Sequence, residues 1–424
     1  MEDMPALNAS EIRKLISILD NVRFAGMQEY RLGTALGVSI PGIKSISFGD
    51  GIKSLVKGII NDFSLVCEGY GRSWFVFPHF KSYIESVPVV YKLYNISYNI
   101  PDSRVYHIEH RNCLDLTGLS NAFRYIVWLA AMRSLPLKFG QRLYLAGQIG
   151  QCRKWHSQFS REIKADVPGM VTTYCDSHIY DNISTQCCRL MSITTATFQH
   201  GLYPAASDKV FSDGYELFLS DTLHAWGEQS RDAAIQSKID QSRINVAGRV
   251  IKTERLTGIP DSNAFGVMLS GNMQDEGRIN TQLIELAEGY SRDTGSRYIL
   301  KPHPFGSFKV TDLCDGNCLE IVDRKDFSLR SLAEKVEFFI CPSTSTIAFD
   351  LINMGAVVFV CINQIENHFD PYLKGLCFNE LEELSDLVEW YRSNKMEYER
   401  LAASIDEFVF SDGAEQAYIE FYGG

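Results

Sequence analysis

Two short segments in the second half of the chain carry residue types suited to holding phosphate. Pro342-Ser343-Thr344-Ser345-Thr346-Ile347-Ala348-Phe349-Asp350 sets four hydroxyl residues between a buried-strand pattern and a helical one. A helix N-terminus offers unpaired backbone N–H groups and the positive end of the helix dipole, and hydroxyls add further donors. One Ser or Thr suffices to cap a helix, so four in succession exceed what capping requires. Upstream, Lys301-Pro302-His303-Pro304 ends another strand pattern. Lys301 supplies a cation and His303 a donor, and the two prolines stiffen the loop. Ser270-Gly271-Asn272 closes the first strand pattern of this half. A Gly-Asn turn lets backbone approach a ligand closely, and it serves equally as a plain strand-to-helix turn.

The first half offers two candidates for moving a proton. His200, in Phe198-Gln199-His200-Gly201, follows a β-branched apolar run. An imidazole titrates near neutrality and can act as a general base or stabilise a phosphate. Glu68 opens Glu68-Gly69-Tyr70-Gly71-Arg72 after the run Phe63–Cys67. A carboxylate whose pKa is raised by its surroundings can deprotonate a hydroxyl. Arg72 can bind a phosphate or an acidic sugar. His107 and Glu109 alternate onto one face of a strand-like run, with His110 beside them. No D-x-D carboxylate pair is placed to carry a divalent cation, so no metal or other cofactor is expected.

These residues need rigid elements to position them. Asn8-Ala9-Ser10-Glu11 reads as an N-cap with Glu at the third helical position, opening a helix through Leu19. Short apolar runs then recur at Phe63–Cys67, Arg104–Ile108, Leu143–Ala146, Val171–Cys175, Ile193–Phe198 and Ile244–Ala247, many ending in Gly, Asn, Asp or Ser. Phe123–Met132 reads as helical. Residues 250–263 are polar, contain Gly258 and Pro260, and lack periodicity, which places a domain junction there. Beyond it the alternation restarts: strands at Phe265–Leu269, Tyr298–Leu300, Phe338–Ile340 and Val357–Cys361, helices from about Arg278 to Ser291 and up to Met354, then a helical, Glu-rich end. Strands alternating with helices predict parallel sheets, and ligands of such folds bind beyond the carboxyl ends of the strands. The expected division is residues 1–255, residues 256–400 and a helical tail at 401–424 that packs back on the first domain.

Composition sets outer bounds. The chain has 424 residues, 45% hydrophobic and 22% charged, the balance of a globular protein. Its 41 Lys and Arg against 52 Asp and Glu give a net charge of −11, a poor basis for nonspecific nucleic-acid binding. The acidic opening Met1-Glu2-Asp3-Met4-Pro5 lacks the basic and apolar regions of a secretory signal. No run is long and apolar enough for a membrane span. The 11 cysteines are scattered, including Cys187-Cys188 and the Cys314/Cys318 pair, and a reduced, buried set is expected.

Lys301-Pro302-His303-Pro304 together with Ser343-Thr344-Ser345-Thr346 resembles the HP and serine motifs of bacterial GT-B transferases: the sialyl-, polysialyl- and Kdo-transferases and the glycerol-phosphate polymerases of capsules and teichoic acids. Asp350-Leu351-Ile352-Asn353-Met354-Gly355-Ala356-Val357 is similar to the wider GT-B donor pattern E-A-x-x-x-G-x-P, with Asp in place of Glu and Val in place of Pro. The His200-Gly201 pair resembles a motif of the same capsule and teichoic-acid enzymes. Glu68-Gly69 fits half of the acid-acid-Gly motif of the sialyltransferases, Cys67 standing where the first acid would be. The motif matches cover roughly residues 265–365.

The resemblance implies an α/β protein of the GT-B class, with two Rossmann-like domains facing across a cleft. The C-terminal domain would hold a nucleotide-activated donor through Gly271, Asn272, Lys301, His303, Pro304, Ser343, Thr344, Ser345, Thr346 and Asp350. The N-terminal domain would hold a glycan or glycolipid acceptor, with Glu68 or His200 as base and Arg72 on an acid or phosphate. The activity implied is inverting, metal-independent glycosyl transfer to a bacterial surface glycan. A cytidine donor of an acidic sugar, such as CMP-Kdo or CMP-sialic acid, is the first choice. Transfer of a polyol phosphate from a CDP-alcohol, transfer from a UDP-sugar, and a noncatalytic subunit that binds glycan or nucleotide are the alternatives. The location implied is cytoplasmic, with peripheral contact at the inner face of the membrane, for which the helix around Arg13, Lys14 and Arg23 is a candidate.

Overall fold

The computed structural model describes the chain apart from residues 1–6, 87, 114–115, 251–254, 259, 261, 272–275, 304–307, 309–317, 324–328, 344, 363–371 and 424. It divides into two units, Met1–Ile251 with Ser411–Gly424, and Lys252–Phe410.

The sheet of unit 1 comprises β1 (Asn61–Gly69), β2 (Ser73–Phe80), β3 (Ser103–Cys113), β4 (Met170–Thr173), β5 (Thr194–Phe198), β6 (Thr222–Ala225) and β7 (Ile244–Val246). Among the described residues their order is β1-β3-β2-β4-β5-β6-β7. From β3 to β7 neighbouring strands pair in parallel. The edge strand β1 runs antiparallel to β3, with Glu68 opposite Val105 and Gly69 opposite Arg104. That departs from the purely parallel sheet expected, and it reverses the end of the sheet at which Glu68 lies.

One face of this sheet is covered by the helices Ala9–Asn21, Phe48–Ile59 and Phe139–Ala165. The first carries its capping box as read, the Asn8 side chain accepting from Glu11 N and Glu11 reaching back. Leu143–Ala146, expected as a strand, lies inside the 27-residue helix Phe139–Ala165. A short apolar run has no period of its own, and Gly147 after it looked like a terminator. Gly147 instead permits close helix packing: a Cβ there would meet Ser54 O at 2.3 Å, and one on Gly51 would meet Gly140 O at 2.3 Å.

The opposite face is closed by the last helix, Ala414–Gly423. Tyr418 is buried against Phe198 and His224, and Tyr422 bonds Thr172 Oγ1 and His224 Nε2, each at 2.8 Å. Each such aromatic contributes about 1.5–3 kcal/mol of burial. The segment that returns to unit 1 begins at Ser411; the preceding helix, Lys395–Val409, belongs to unit 2.

Unit 2 holds β8 (Ala264–Met268), β9 (Arg297–Lys301), β10 (Cys318–Ile321), β11 (Phe339–Pro342), β12 (Val358–Cys361) and β13 (Cys377–Phe378). They form a parallel sheet in the order β10-β9-β8-β11-β12-β13. The central strands read as continuous apolar runs because both faces are covered, and every residue of β8, β11 and β12 is buried. The nine described cysteines are free. Among the described residues no helix is long and apolar enough to cross a membrane.

Candidate functional site

In unit 2 the parallel register carries the ends of β9, β8 and β11 to one edge, in that order. Met268 pairs with Lys301, and Leu269 N donates to Lys301 O at 3.0 Å. Beyond Leu269 the chain turns through Ser270 and Gly271, and this turn is tied to the following helix. Ser270 N donates to Asn280 Oδ1 at 2.7 Å and Asn280 Nδ2 returns to Ser270 O at 3.1 Å. Gly271 and His303 approach closely: a Cβ on Gly271 would lie 2.1 Å from His303 Nδ1, so the ring would have to shift. The His303 ring therefore sits against the Gly271 backbone.

Lys301, 5% exposed, sends its Nζ to Pro302 O at 3.2 Å and Asp323 O at 3.4 Å. Ser343 is fully buried at the end of β11, its N–H bonded to Cys361 O at 3.1 Å. Ser345 Oγ accepts from Ile347 N at 3.3 Å, and Thr346 takes the N-cap position of the helix Ile347–Met354 without a side-chain cap bond. Asp350 lies in that helix's first turn. The structure thus brings Gly271, Lys301, His303, Ser343, Ser345 and Thr346 to one edge, Asn272, Pro304 and Thr344 lying outside the described residues.

In unit 1 the ends of β2, β4 and β5 assemble a different set. His200 follows β5; Tyr174, Cys175 and His178 follow β4; His79 lies near the end of β2. Ring centroids are 4.9 Å apart for His178 and His200 and 5.6 Å for His79 and His178, while Tyr174 packs edge-on to His79 at 5.1 Å. The Tyr203 hydroxyl bonds the His200 ring and lies 3.5 Å from Cys175 Sγ. Burial pulls the pKa of His79 and of His200 down to about 4, and that of His178 well below its ordinary value. Burial thus favours the neutral imidazole in all three, the form that ligates a metal, and weakens each as a base.

Two carboxylates hold this edge in shape. Asp176 accepts from Leu219 N (2.8 Å), Ser220 N (2.6 Å), Ser220 Oγ (2.9 Å), Thr185 Oγ1 (2.8 Å) and Thr173 Oγ1 (3.1 Å). Asp181 Oδ1 accepts from Tyr174 N at 2.9 Å, and its other oxygen is buried without a hydrogen-bond partner, 3.9 Å from His178 Nδ1.

Glu68 and Arg72 do not join His200. Because β1 is antiparallel, Glu68 lies toward the end of the sheet where the parallel strands begin, and Arg72 directly precedes β2. Glu68 accepts from the Tyr98 hydroxyl and lies 3.6 Å from Lys81 Nζ, and its pKa is lowered, first by Tyr98. Tyr98 in turn contacts Tyr94, and Tyr94 contacts His107 Nδ1, at 2.8 and 3.2 Å. A carboxylate stabilised as the anion is a weak base. His107 and Glu109 do share a face, Nε2 to Oε1 3.7 Å.

His79, Cys175, His178 and Tyr203 were not singled out in the sequence. The available signal was position: His79 ends an aromatic run, Ser73–Phe80, and His178 ends the turn after Val171–Cys175, each as His200 ends its own run.

No protein-family profile and no curated protein sequence matches the chain. Solved structures do match in fold. UDP-GlcNAc 2-epimerase from Neisseria meningitidis bound to UDP-GlcNAc superposes with a TM-score of 0.54 at 13% identity, over 82% of this chain and 99% of that one. MnaA of S. aureus, in a co-structure with UDP, gives 0.52 at 12%, over 82% and 94%. A putative UDP-N-acetylglucosamine 2-epimerase from Listeria monocytogenes gives 0.52 at 12%, also over 82% and 94%. The chain has the two-domain α/β fold with parallel sheets of these GT-B-like proteins.

Proposed function

We propose that this chain is a nucleotide-sugar enzyme of the GT-B class, a glycosyltransferase that inverts at the sugar carbon and uses no metal at the donor phosphate. The observation that carries this reading is the edge of unit 2, where the His303 ring rests on Gly271 beside the buried Lys301 and Ser343. As the glycosidic bond breaks, negative charge grows on the nucleoside phosphate. A buried cation, an imidazole donor and a hydroxyl-rich helix start placed where that charge develops lower the barrier. Asp350 would contact the donor's ribose or sugar. Unit 2 acts as the donor domain and unit 1, which includes the helical tail from Ser411, as the acceptor domain.

His200 is preferred to Glu68 as proton acceptor because it follows the carboxyl end of β5, where ligands of parallel sheets bind, whereas Glu68 lies toward the opposite end of the sheet. The same reasoning weighs against Arg72 in that site. For the donor, uridine is supported by the UDP-GlcNAc and UDP bound in neighbours of the same fold. Cytidine is supported by the capsule-type motifs, and CMP-Kdo or CMP-sialic acid is the second choice. A lipid-linked acceptor glycan would bring the protein to the cytoplasmic face of a membrane.

The epimerase neighbours favour one further reading, inversion at the sugar C2 with no acceptor. Incubation with UDP-GlcNAc, CMP-Kdo and CMP-sialic acid in D2O, with and without a pool of surface-glycan acceptors, separates the readings. Acceptor-dependent release of free nucleotide marks a transferase. Deuterium at C2 of UDP-GlcNAc without release marks an epimerase. Absence of both overturns the nucleotide-sugar reading.

A further inference from the structure

We propose that Cys175, His178 and His200 form a transition-metal site, for zinc by the chemistry of its donors, at the carboxyl edge of the unit 1 sheet. One imidazole nitrogen from each histidine and the Cys175 sulfur lie within 4.8 Å of one another. Zinc bonds of about 2.3 Å to sulfur and about 2.0–2.1 Å to nitrogen place tetrahedral donors roughly 3.3–3.7 Å apart. The donors thus close by about an ångström on binding, a movement that His178, half-buried at the start of its helix, can supply by rotation.

The donor types are specific. Two neutral imidazoles and a thiol select zinc or a similar borderline-soft ion over magnesium or calcium, which take oxygen ligands. Tyr203 provides a further oxygen beside the set, its hydroxyl 3.5 Å from Cys175 Sγ and bonded to the His200 ring. Ser177 Oγ, 3.0 Å from the same sulfur, is the thiol's other neighbour. Ligating imidazoles are commonly oriented by a carboxylate behind them. Asp181 Oδ2, buried and without a hydrogen-bond partner, stands 3.9 Å from His178 Nδ1 and fits that place. The three donors come from two adjacent loops on neighbouring strands, β4 and β5, which Asp176 ties to Leu219 and Ser220, so the backbone beneath them is fixed.

This inference is separate from the sugar-nucleotide reading, since the site lies in unit 1 and not at the donor phosphate. With the site filled, His200 would serve as a ligand and not as the proton acceptor.

The test uses the full-length chain, stripped with a chelator and titrated with Co2+. The expected result is one Co2+ per chain by elemental analysis, with a thiolate-to-cobalt charge-transfer band in the near ultraviolet, displaced by Zn2+. Cys175→Ser abolishes the band, and His178→Asn weakens binding at least tenfold; the latter, at a half-buried position, carries the test if Cys175→Ser does not fold. His79→Ala retains the band. No charge-transfer band in the wild-type chain, or an equal band in Cys175→Ser, overturns the proposal. Because cobalt binding is read by absorbance and nucleotide binding by thermal shift, failure of one proposal is distinguishable from failure of the other.

Discussion

At the ends of β2, β4 and β5 the side chains are imidazoles, a thiol and phenols, and burial drives the three imidazoles neutral. At the ends of β8, β9 and β11 they are a glycine, an ammonium, an imidazole and a hydroxyl. Both edges sit where a parallel sheet offers its ligands a place, yet the first suits proton transfer or a soft metal and the second suits phosphate. The difference shows how one architecture, used twice, acquires two chemistries through the two or three residues that follow each strand.

The largest effect should come from the edge of unit 2 proposed to hold the donor phosphate. Lys301→Met keeps the volume and removes the cation. Loss of one donor to a developing anion costs about 100- to 1000-fold in turnover. Nucleotide-release assays on the variant should show that fall with its fold retained by circular dichroism. A normal rate would remove the contrast between the edges.

Next comes the pH response of unit 1. His79 and His200 titrate near 4 when folded and near 6.5 when unfolded. Between those values the unfolded chain binds more protons, so stability rises with pH in that window. It is complete above about 6.5 and falls as the pH drops toward 4, by on the order of 3 kcal/mol for each histidine. Urea titrations followed by tryptophan fluorescence report chiefly on unit 1, which holds Trp74, Trp128, Trp155 and Trp226 while unit 2 holds Trp390. A urea midpoint unchanged between pH 7 and pH 5 would contradict the neutral-imidazole description.

A smaller effect is expected at Gly271. Its Cβ in Gly271→Ala meets the His303 ring, which must move. Nucleotide affinity should weaken about tenfold, near 1.4 kcal/mol. Calorimetric titration with UDP reads this directly, and unchanged affinity would detach His303 from the ligand. The smallest effect should be that of Glu68→Gln. With its carboxylate bonded by Tyr98 away from the histidine cluster, turnover should change less than about threefold. A large loss would return the base role to Glu68.

The candidate donor edge of unit 2 was legible because its residues are local in sequence: Lys301 and His303 are separated by one proline, and the hydroxyls of 343–346 are contiguous. Parallel pairing then brings strand ends together without further information. The histidine edge was only partly legible, since His79, His178 and His200 each look like a lone residue at a strand end. Their assembly depends on β2, β4 and β5 being neighbours, a fact of topology. β2 itself was missed: its aromatic run, interrupted by Pro78, does not alternate. Strand direction was likewise hidden. The residues of β1 carry no mark of the antiparallel pairing with β3, and that pairing separates Glu68 from His200.

The account rests most directly on nucleotide binding at the edge of unit 2. A thermal-shift screen of the full-length chain against UDP, CMP, CDP, GDP and ADP, with and without EDTA, measures it, since a ligand that binds only the folded state raises the melting temperature. The expected result is a shift with UDP or a cytidine nucleotide, insensitive to EDTA and lost in His303→Ala. No shift with any of the five, or an undiminished shift in His303→Ala, would contradict it.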